Sequence, residues 1–148
     1  MIDEYIANYE EYVGIGSGAF SYLDGTLYVN TFSLREYNER ISSGLMSVFQ
    51  KRSFKKHEQM RYRFMMDLFG FKLDKRRFRD SFGVSVGRGL WLETVFMRLA
   101  GAFDINNDVI TLTPRGRYLL IVMMREFFSA LNNVREQARN VLAPEELE

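Results

Sequence analysis

The chain has 148 residues, 47% of them hydrophobic, with thirteen Phe, eight Tyr and eight Met; this excludes a disordered chain and suffices for one domain with a real core. It has no cysteine, which excludes a disulfide framework, a thiolate nucleophile and a thiolate metal site. The net charge of +1 is unevenly placed: residues 1–50 carry two basic and seven acidic groups, residues 51–88 twelve and four, residues 89–148 six and eight. The middle third could draw an anion, although a solvated helix face is the commoner cause of such a run.

The first eleven residues, MIDEYIANYEE, read as the end of an element that starts elsewhere. Asp3 and Glu4 stand where a secretory leader would carry basic residues. The longest apolar run, residues 119–124, is six residues long, far short of a membrane span. The expectation is a cytoplasmic protein without membrane contact.

Residues 12–30, YVGIGSGAFSYLDGTLYVN, organise the rest. Two apolar runs joined by Asp24-Gly25 are a strong hairpin signal, because a type I′ turn needs positive φ at both central residues. That turn pairs Phe20 with Val29 and Tyr22 with Leu27, giving one apolar face. Upstream, Gly14, Gly16 and Ala19 fit a dinucleotide fingerprint, with Glu36 or Glu39 about twenty residues on. The fingerprint requires a helix N-terminus directly after the glycines, and a hairpin follows here. The glycines instead let the backbone pass close to a neighbouring strand or a ligand; the sequence leaves both open.

Ser33-Leu34-Arg35-Glu36 is a capping box. It predicts a helix over residues 34–43 that buries Leu34, Tyr37 and Ile41 and stops at Gly44. Residues 45–53 read as a connector. A second helix runs from after Ser53 to Phe69, with Met60, Phe64 and Leu68 at steps of four and Met65 and Phe69 beside them; Gly70 ends it. Asp74 caps a short basic helix, residues 75–82, with Phe78 and Phe82 inward, and Gly83 terminates it. A fourth helix, residues 89–100, is predicted to bury Leu92, Val95, Phe96 and Leu99, with Trp91 between elements and Gly101 as cap. A second hairpin joins residues 102–105 to 109–112 through Asn106-Asn107-Asp108. Thr113 and Pro114 open the last helix as N-cap and N1. Residues 118–124 are apolar all round, which predicts burial, and Phe127, Leu131, Val134, Ala138 and Val141 continue a narrower stripe up to Pro144.

Three helices, a hairpin and a further helix match a winged-helix layout, so the fold class expected is mainly α (α+β). Nucleic-acid binding is disfavoured. The fourth helix begins Gly89-Leu90-Trp91-Leu92-Glu93 rather than with base-reading polar groups, and the turn at Asn106, Asn107 and Asp108 has no positive charge. His57 is the only histidine, so no multi-histidine metal site exists; beside Lys55 and Lys56 it reads as a surface residue. Glu10-Glu11 and Glu145-Glu146 read as solvated termini.

The stretch GIGSGAFSYL, followed by the Asp-Gly turn, Tyr28, Asn30 and the helix start SLREYNERI, resembles a family of radical S-adenosylmethionine enzymes. These are the oxygen-independent coproporphyrinogen III oxidases, with the related haem chaperones and anaerobic haem-utilisation enzymes. In them a G-x-G-[AS]-x-A-x-S block closes the catalytic core and a helical accessory domain follows. The resemblance implies that residues 1–32 hold the last core strand and hairpin of a catalytic barrel, and residues 33–148 a helical, winged-helix-like accessory domain. It places Gly14, Gly16, Ala19 and Ser21 on the core-closing strand and Phe20 where the backbone contacts S-adenosylmethionine. Gly18, Ala19, Phe20 and Ser21 are thus the implied cofactor-binding residues, with no catalytic residue and no metal ligand on this chain. The coproporphyrinogen enzyme tends to have Ile at the Phe20 position and the haem chaperones His, so Phe20 departs from both; Ser17-Gly18 is nearer the chaperone pattern. The family's iron–sulfur cluster sits on C-x-x-x-C-x-x-C, which this chain lacks. The implied role is a lid and docking module, inactive alone, in tetrapyrrole metabolism. Its implied partners are a radical-enzyme core carrying S-adenosylmethionine and a 4Fe-4S cluster, and a tetrapyrrole substrate. A strand cut from a barrel would bare a sheet edge, which predicts either homodimerisation through residues 12–30 or mobility there.

Overall fold

Asp24 and Gly25 both take positive φ, 44° and 66°, and close the predicted hairpin in the structure, a computed structural model that describes residues 11–140. Strand β1 (Phe20–Leu23) pairs antiparallel with β2 (Thr26–Asn30), Phe20 opposite Val29 and Tyr22 opposite Leu27. Residues 45–53 are not the expected connector. Val48–Ser53 form β3, antiparallel to the other side of β2, with a register shift between Val29 and Asn30. From Phe49 onward its side chains are exposed, so no apolar alternation announces it; its pairing is supplied by β2.

Helix α1 (Leu34–Ser42) starts as expected, the Ser33 hydroxyl accepting from the Glu36 N–H at 3.1 Å. The reciprocal half of the capping box is not made. Glu36 instead accepts from the Thr31 hydroxyl at 2.8 Å and from Arg40 at 2.9 Å, and the Ser33 N–H donates to Thr31. Gly44 has φ 72°, the left-handed cap. The expected burial of Leu34 and Ile41 does not occur: both are exposed, and only Tyr37 is partly covered.

These elements belong to one compact unit, residues 11–53 with residues 126–140, while residues 54–125 form another. The second is built on α2 (Lys56–Phe69), whose Met60, Phe64, Leu68 and Phe69 are buried as their spacing predicts. Three residues then form a strand the sequence does not announce, β4 (Lys72–Asp74). Helix α3 (Lys75–Phe82) lies between its predicted punctuation: Asp74 accepts from the Arg76 and Arg77 amides at 2.8 and 3.1 Å, and Gly83 takes φ 69°. Phe78 and Phe82 are buried, their ring centroids 4.9 Å apart.

The predicted fourth helix is two helices, α4 (Val86–Gly89) and α5 (Trp91–Leu99), separated at Leu90 with φ −131° and ψ 54°. The break turns the second piece. Val86, Leu90, Thr94 and Met97 are buried, while the predicted core face, Leu92, Val95, Phe96 and Leu99, is exposed, and so is Trp91. Strands β5 (Phe103–Asn106) and β6 (Val109–Leu112) form the second hairpin. Its turn has two residues rather than three, because Asn106 pairs with Val109; Asn107 takes φ 43°. The sheet order is β4-β6-β5, all antiparallel.

Helix α6 (Pro114–Asn140) opens on Thr113, whose hydroxyl accepts from the Gly116 N–H at 3.1 Å. Burial is not all round as predicted: Leu120 is buried, but Tyr118, Ile121, Val122 and Met123 are exposed. The stripe expected at Phe127, Leu131, Val134, Ala138 and Val141, the stop at Pro144, Glu145-Glu146 and the element over residues 1–10 lie outside what is described. Phe64, Leu68, Leu73, Phe78, Leu90, Met97, Ile110 and Leu120 share the core of the second unit, each contributing about 1.5–3 kcal/mol by leaving water.

Candidate functional site

Gly14 lies so close to β1 that a Cβ on it would be 2.1 Å from the Phe20 carbonyl oxygen. Of the two readings the sequence left open, a neighbouring strand is therefore what the first glycine approaches. Tyr12 and Tyr22 exchange two backbone hydrogen bonds, at 3.0 and 2.9 Å, so residues 12–14 run along the outer edge of β1. That edge is not bare at this point, as a strand cut from a barrel would have been.

The loop that follows is held by side chains. The Gly14 N–H donates to the Ser21 hydroxyl at 3.0 Å and the Gly16 N–H to the Tyr37 phenol oxygen at 3.0 Å. The Asn30 carboxamide donates to the carbonyls of Gly14 and Gly16, at 3.3 and 3.0 Å. The Ser17 hydroxyl reaches the Thr31 and Phe32 carbonyls. The amides of Gly14, Gly16 and Gly18 thus all have protein acceptors, the last being Thr31 at 2.8 Å. The loop is not a ring of free N–H groups awaiting a phosphate. What it offers outward is apolar: Val13 is 62% exposed and Ile15 89%.

The four implied cofactor-binding residues are contiguous at the start of β1. Gly18 has φ 66° and packs on the Phe32 ring, where a Cβ would come to 2.9 Å. Ala19 accepts from the Asn30 N–H at 2.9 Å. Phe20 is half-buried opposite Val29, and the buried Ser21 hydroxyl is engaged by Gly14. The structure brings to them Asn30 and Tyr37, whose anchoring role the sequence reading missed. Asn30 stood inside the quoted motif, but Tyr37 sat in a helical stripe that read simply as core.

Residues 54–125 carry a different set of polar features. Arg63 and Asp67 form an ion pair at 2.9 Å with both side chains buried. Burial pushes the Asp67 carboxyl above its ordinary range and outweighs the opposing pull of Arg63. Asp74 is held below its ordinary range, first by the Arg77 amide, with the Arg76 amide adding to it. Burial works to raise Glu93, but its own amide and Arg61 at 2.6 Å bring it below the usual value. Asp108, in the second hairpin turn, pairs with Arg76 at 2.5 Å, and its carbonyl accepts from the Lys75 N–H. No group of three or more His, Asp or Glu side chains able to hold a metal ion occurs among the described residues. The sequence has no cysteine, so the chain offers no thiolate ligand. No helix among the described residues is long and apolar enough to cross a membrane.

Two small antiparallel sheets with helices between and after them define an α+β protein, whose first glycine loop is locked to a β-hairpin. Among solved structures, the chain is similar to coproporphyrinogen III oxidase (HemN) from Escherichia coli, described as a radical SAM enzyme. The two share 18% identity at a TM-score of 0.58, over 75% of this chain and 26% of the other. The likeness is one of fold, and this chain spans about a quarter of that enzyme's length. No protein-family model matches the sequence, and no curated protein does.

Proposed function

We propose that the chain is the C-terminal accessory domain, a lid and docking module, of a radical S-adenosylmethionine protein like the oxygen-independent coproporphyrinogen III oxidases, acting in cytoplasmic tetrapyrrole metabolism. The observation that carries this is the fold likeness: three quarters of this chain corresponds to a quarter of an enzyme of that kind. The glycine loop and hairpin supply the supporting chemistry. On this reading residues 1–32 come from the enzyme core and residues 33–148 form the accessory domain. The 4Fe-4S cluster belongs to the core, since this chain offers it no ligand, and the chain alone is inactive. Gly18, Ala19, Phe20 and Ser21 form the edge turned to S-adenosylmethionine. When bound, that cofactor would supply the radical chemistry; this chain's share is to hold a shaped, apolar boundary. Val13 and Ile15, projecting from a loop pinned by Asn30 and Tyr37, are the docking contacts.

Mixing the full chain anaerobically with a cysteine-bearing core of that enzyme class tests this. Co-elution on gel filtration is expected. Ile15→Asp should abolish it while leaving the circular dichroism unchanged, because Ile15 is 89% exposed and only the docked state would bury the charge. Phe20→Asp should abolish it as well. Failure of every such core to bind, with activity restored by none, would reject the docking role.

A protein-interaction module is the second reading. The order helix, strand, three helices and hairpin over residues 56–112, with β4 beside β6, supports a winged-helix-like unit. Its α5 presents Trp91, Leu92, Val95, Phe96 and Leu99 to solvent, which suits an apolar partner and not base edges.

A further inference from the structure

The outward face of α5 is apolar without interruption. Trp91, Val95 and Leu99 make one row at intervals of four, and Leu92 and Phe96 a second row beside it. All five are exposed, from 46% at Val95 to 84% at Leu99, while Leu90, Thr94 and Met97 occupy the core side. At 100° per residue the five span an arc of about 140°, and Glu93 and Arg98 fall outside it. Glu93 is also drawn to Arg61 on α2. Side chains of these sizes leave on the order of 600 Å² of apolar surface in water, at the top of the range for a monomer's largest patch.

We propose that α5 is a homodimer contact: two copies of this chain pack α5 against α5 about a two-fold axis, with Val95 at its centre. A two-fold contact must be self-complementary, the same patch meeting itself. Two parallel rows at intervals of four satisfy this, because such ridges interdigitate with identical ridges at a crossing angle of about −50°. The area also fits. Two such faces, fully covered, bury about 1,200 Å² in total, the lower bound for a specific protein–protein interface. The face carries no charge pattern of the kind that selects an unlike partner. The inference does not depend on the docking role proposed for residues 12–30, which lie in the other unit.

Sedimentation equilibrium of the full chain over a concentration series should give a reversible monomer–dimer equilibrium. Phe96→Glu should raise the dissociation constant by at least about 30-fold, as expected for a central aromatic contact; circular dichroism should be unchanged, and so should the melting temperature at concentrations where both chains are monomeric, because the site is exposed in the monomer. The chain has no cysteine, so a single introduced thiol reports without background. Val95→Cys should form a disulfide-linked dimer rapidly under mild oxidation, whereas Arg79→Cys, exposed on α3, should not. A wild-type chain that stays monomeric at the highest concentration overturns the proposal. So does a dimer that Phe96→Glu leaves intact, or one that cross-links as fast through position 79 as through 95.

Discussion

Replacing Gly14 by Ala should unfasten residues 12–16 from β1 while leaving the rest of the fold in place. The added methyl would meet the Phe20 carbonyl oxygen at 2.1 Å, its carbon at 2.9 Å and the Ala19 Cβ at 3.0 Å. The first two are backbone atoms held in the β1–β2 ladder, so they cannot move aside as a side-chain end would. Overpacking of this sort costs about 1–3 kcal/mol. Lifting the segment away instead forfeits the two Tyr12–Tyr22 bonds, the Gly14–Ser21 bond and the two Asn30 bonds, each worth about 1 kcal/mol net. The chain takes the cheaper course or a mixture, so the opening free energy should fall by about 2–3 kcal/mol. The assay is amide hydrogen exchange at Tyr22, whose N–H donates to Tyr12; it should exchange about 30- to 150-fold faster. Gly16→Ala is the contrast. Nothing lies within 4 Å of that site, although φ is 111°, so it strains the loop by about 1 kcal/mol and should leave Tyr22 protected. A Gly14→Ala chain whose Tyr22 amide exchanges within about threefold of the parent rate would refute the close-approach argument.

The buried pair in α2 gives a second outcome. Arg63→Ala strands the Asp67 charge in the core and should cost about 3–5 kcal/mol in urea denaturation, whereas Arg63→Met with Asp67→Leu together should be close to neutral. The pH dependence follows from two carboxyls shifted in opposite directions. Asp67 is raised from 3.8, so the folded chain holds its proton more tightly than the unfolded one; its contribution to stability grows as pH falls through the folded value. Asp74 is lowered from 3.8; its contribution is complete above 3.8 and is lost as pH falls through the lower folded value. Acid titration of stability should therefore become steeper in Asp67→Asn and shallower in Asp74→Asn. The reverse pattern would contradict the assigned environments.

Local chemistry was legible in the sequence, and orientation was not. The Asp24-Gly25 turn, the Asp74 and Ser33 caps and the left-handed Gly44 and Gly83 are decided within four or five residues, and each stands where its chemistry puts it. Strand β3 was invisible because VFQKRS has neither alternation nor a buried face; it is a strand because β2 offers it hydrogen bonds. Strand β4 is three residues long and takes its pairing from β6, some 35 residues later in the chain. The α5 error is of another kind. Six of its nine residues are apolar, so more than one arc could serve as core, and periodicity favoured the wider. The backbone break at Leu90 chose the other, and Thr94, which looks polar, is buried with its hydroxyl bonded to the Leu90 carbonyl at 2.7 Å. In the glycine loop the pattern announced a close approach but not its target. Tyr37 closes that loop from 21 residues away, a distance over which spacing rules say nothing.

The two margins of the first sheet are guarded by different means. On the β1 side the chain's own residues 12–14 cover the margin, pairing with it at Tyr22; on the β3 side lie Lys51 and Arg52, charges that discourage a further strand from adding. Proteolytic nicking just after Gly14 would remove the first guard and leave the second. The remaining sheet would then have one margin open to growth, with Val29 and Phe20 behind it. Residues 12–14 therefore act as a cover, and their loss would expose backbone groups to which a further strand could add.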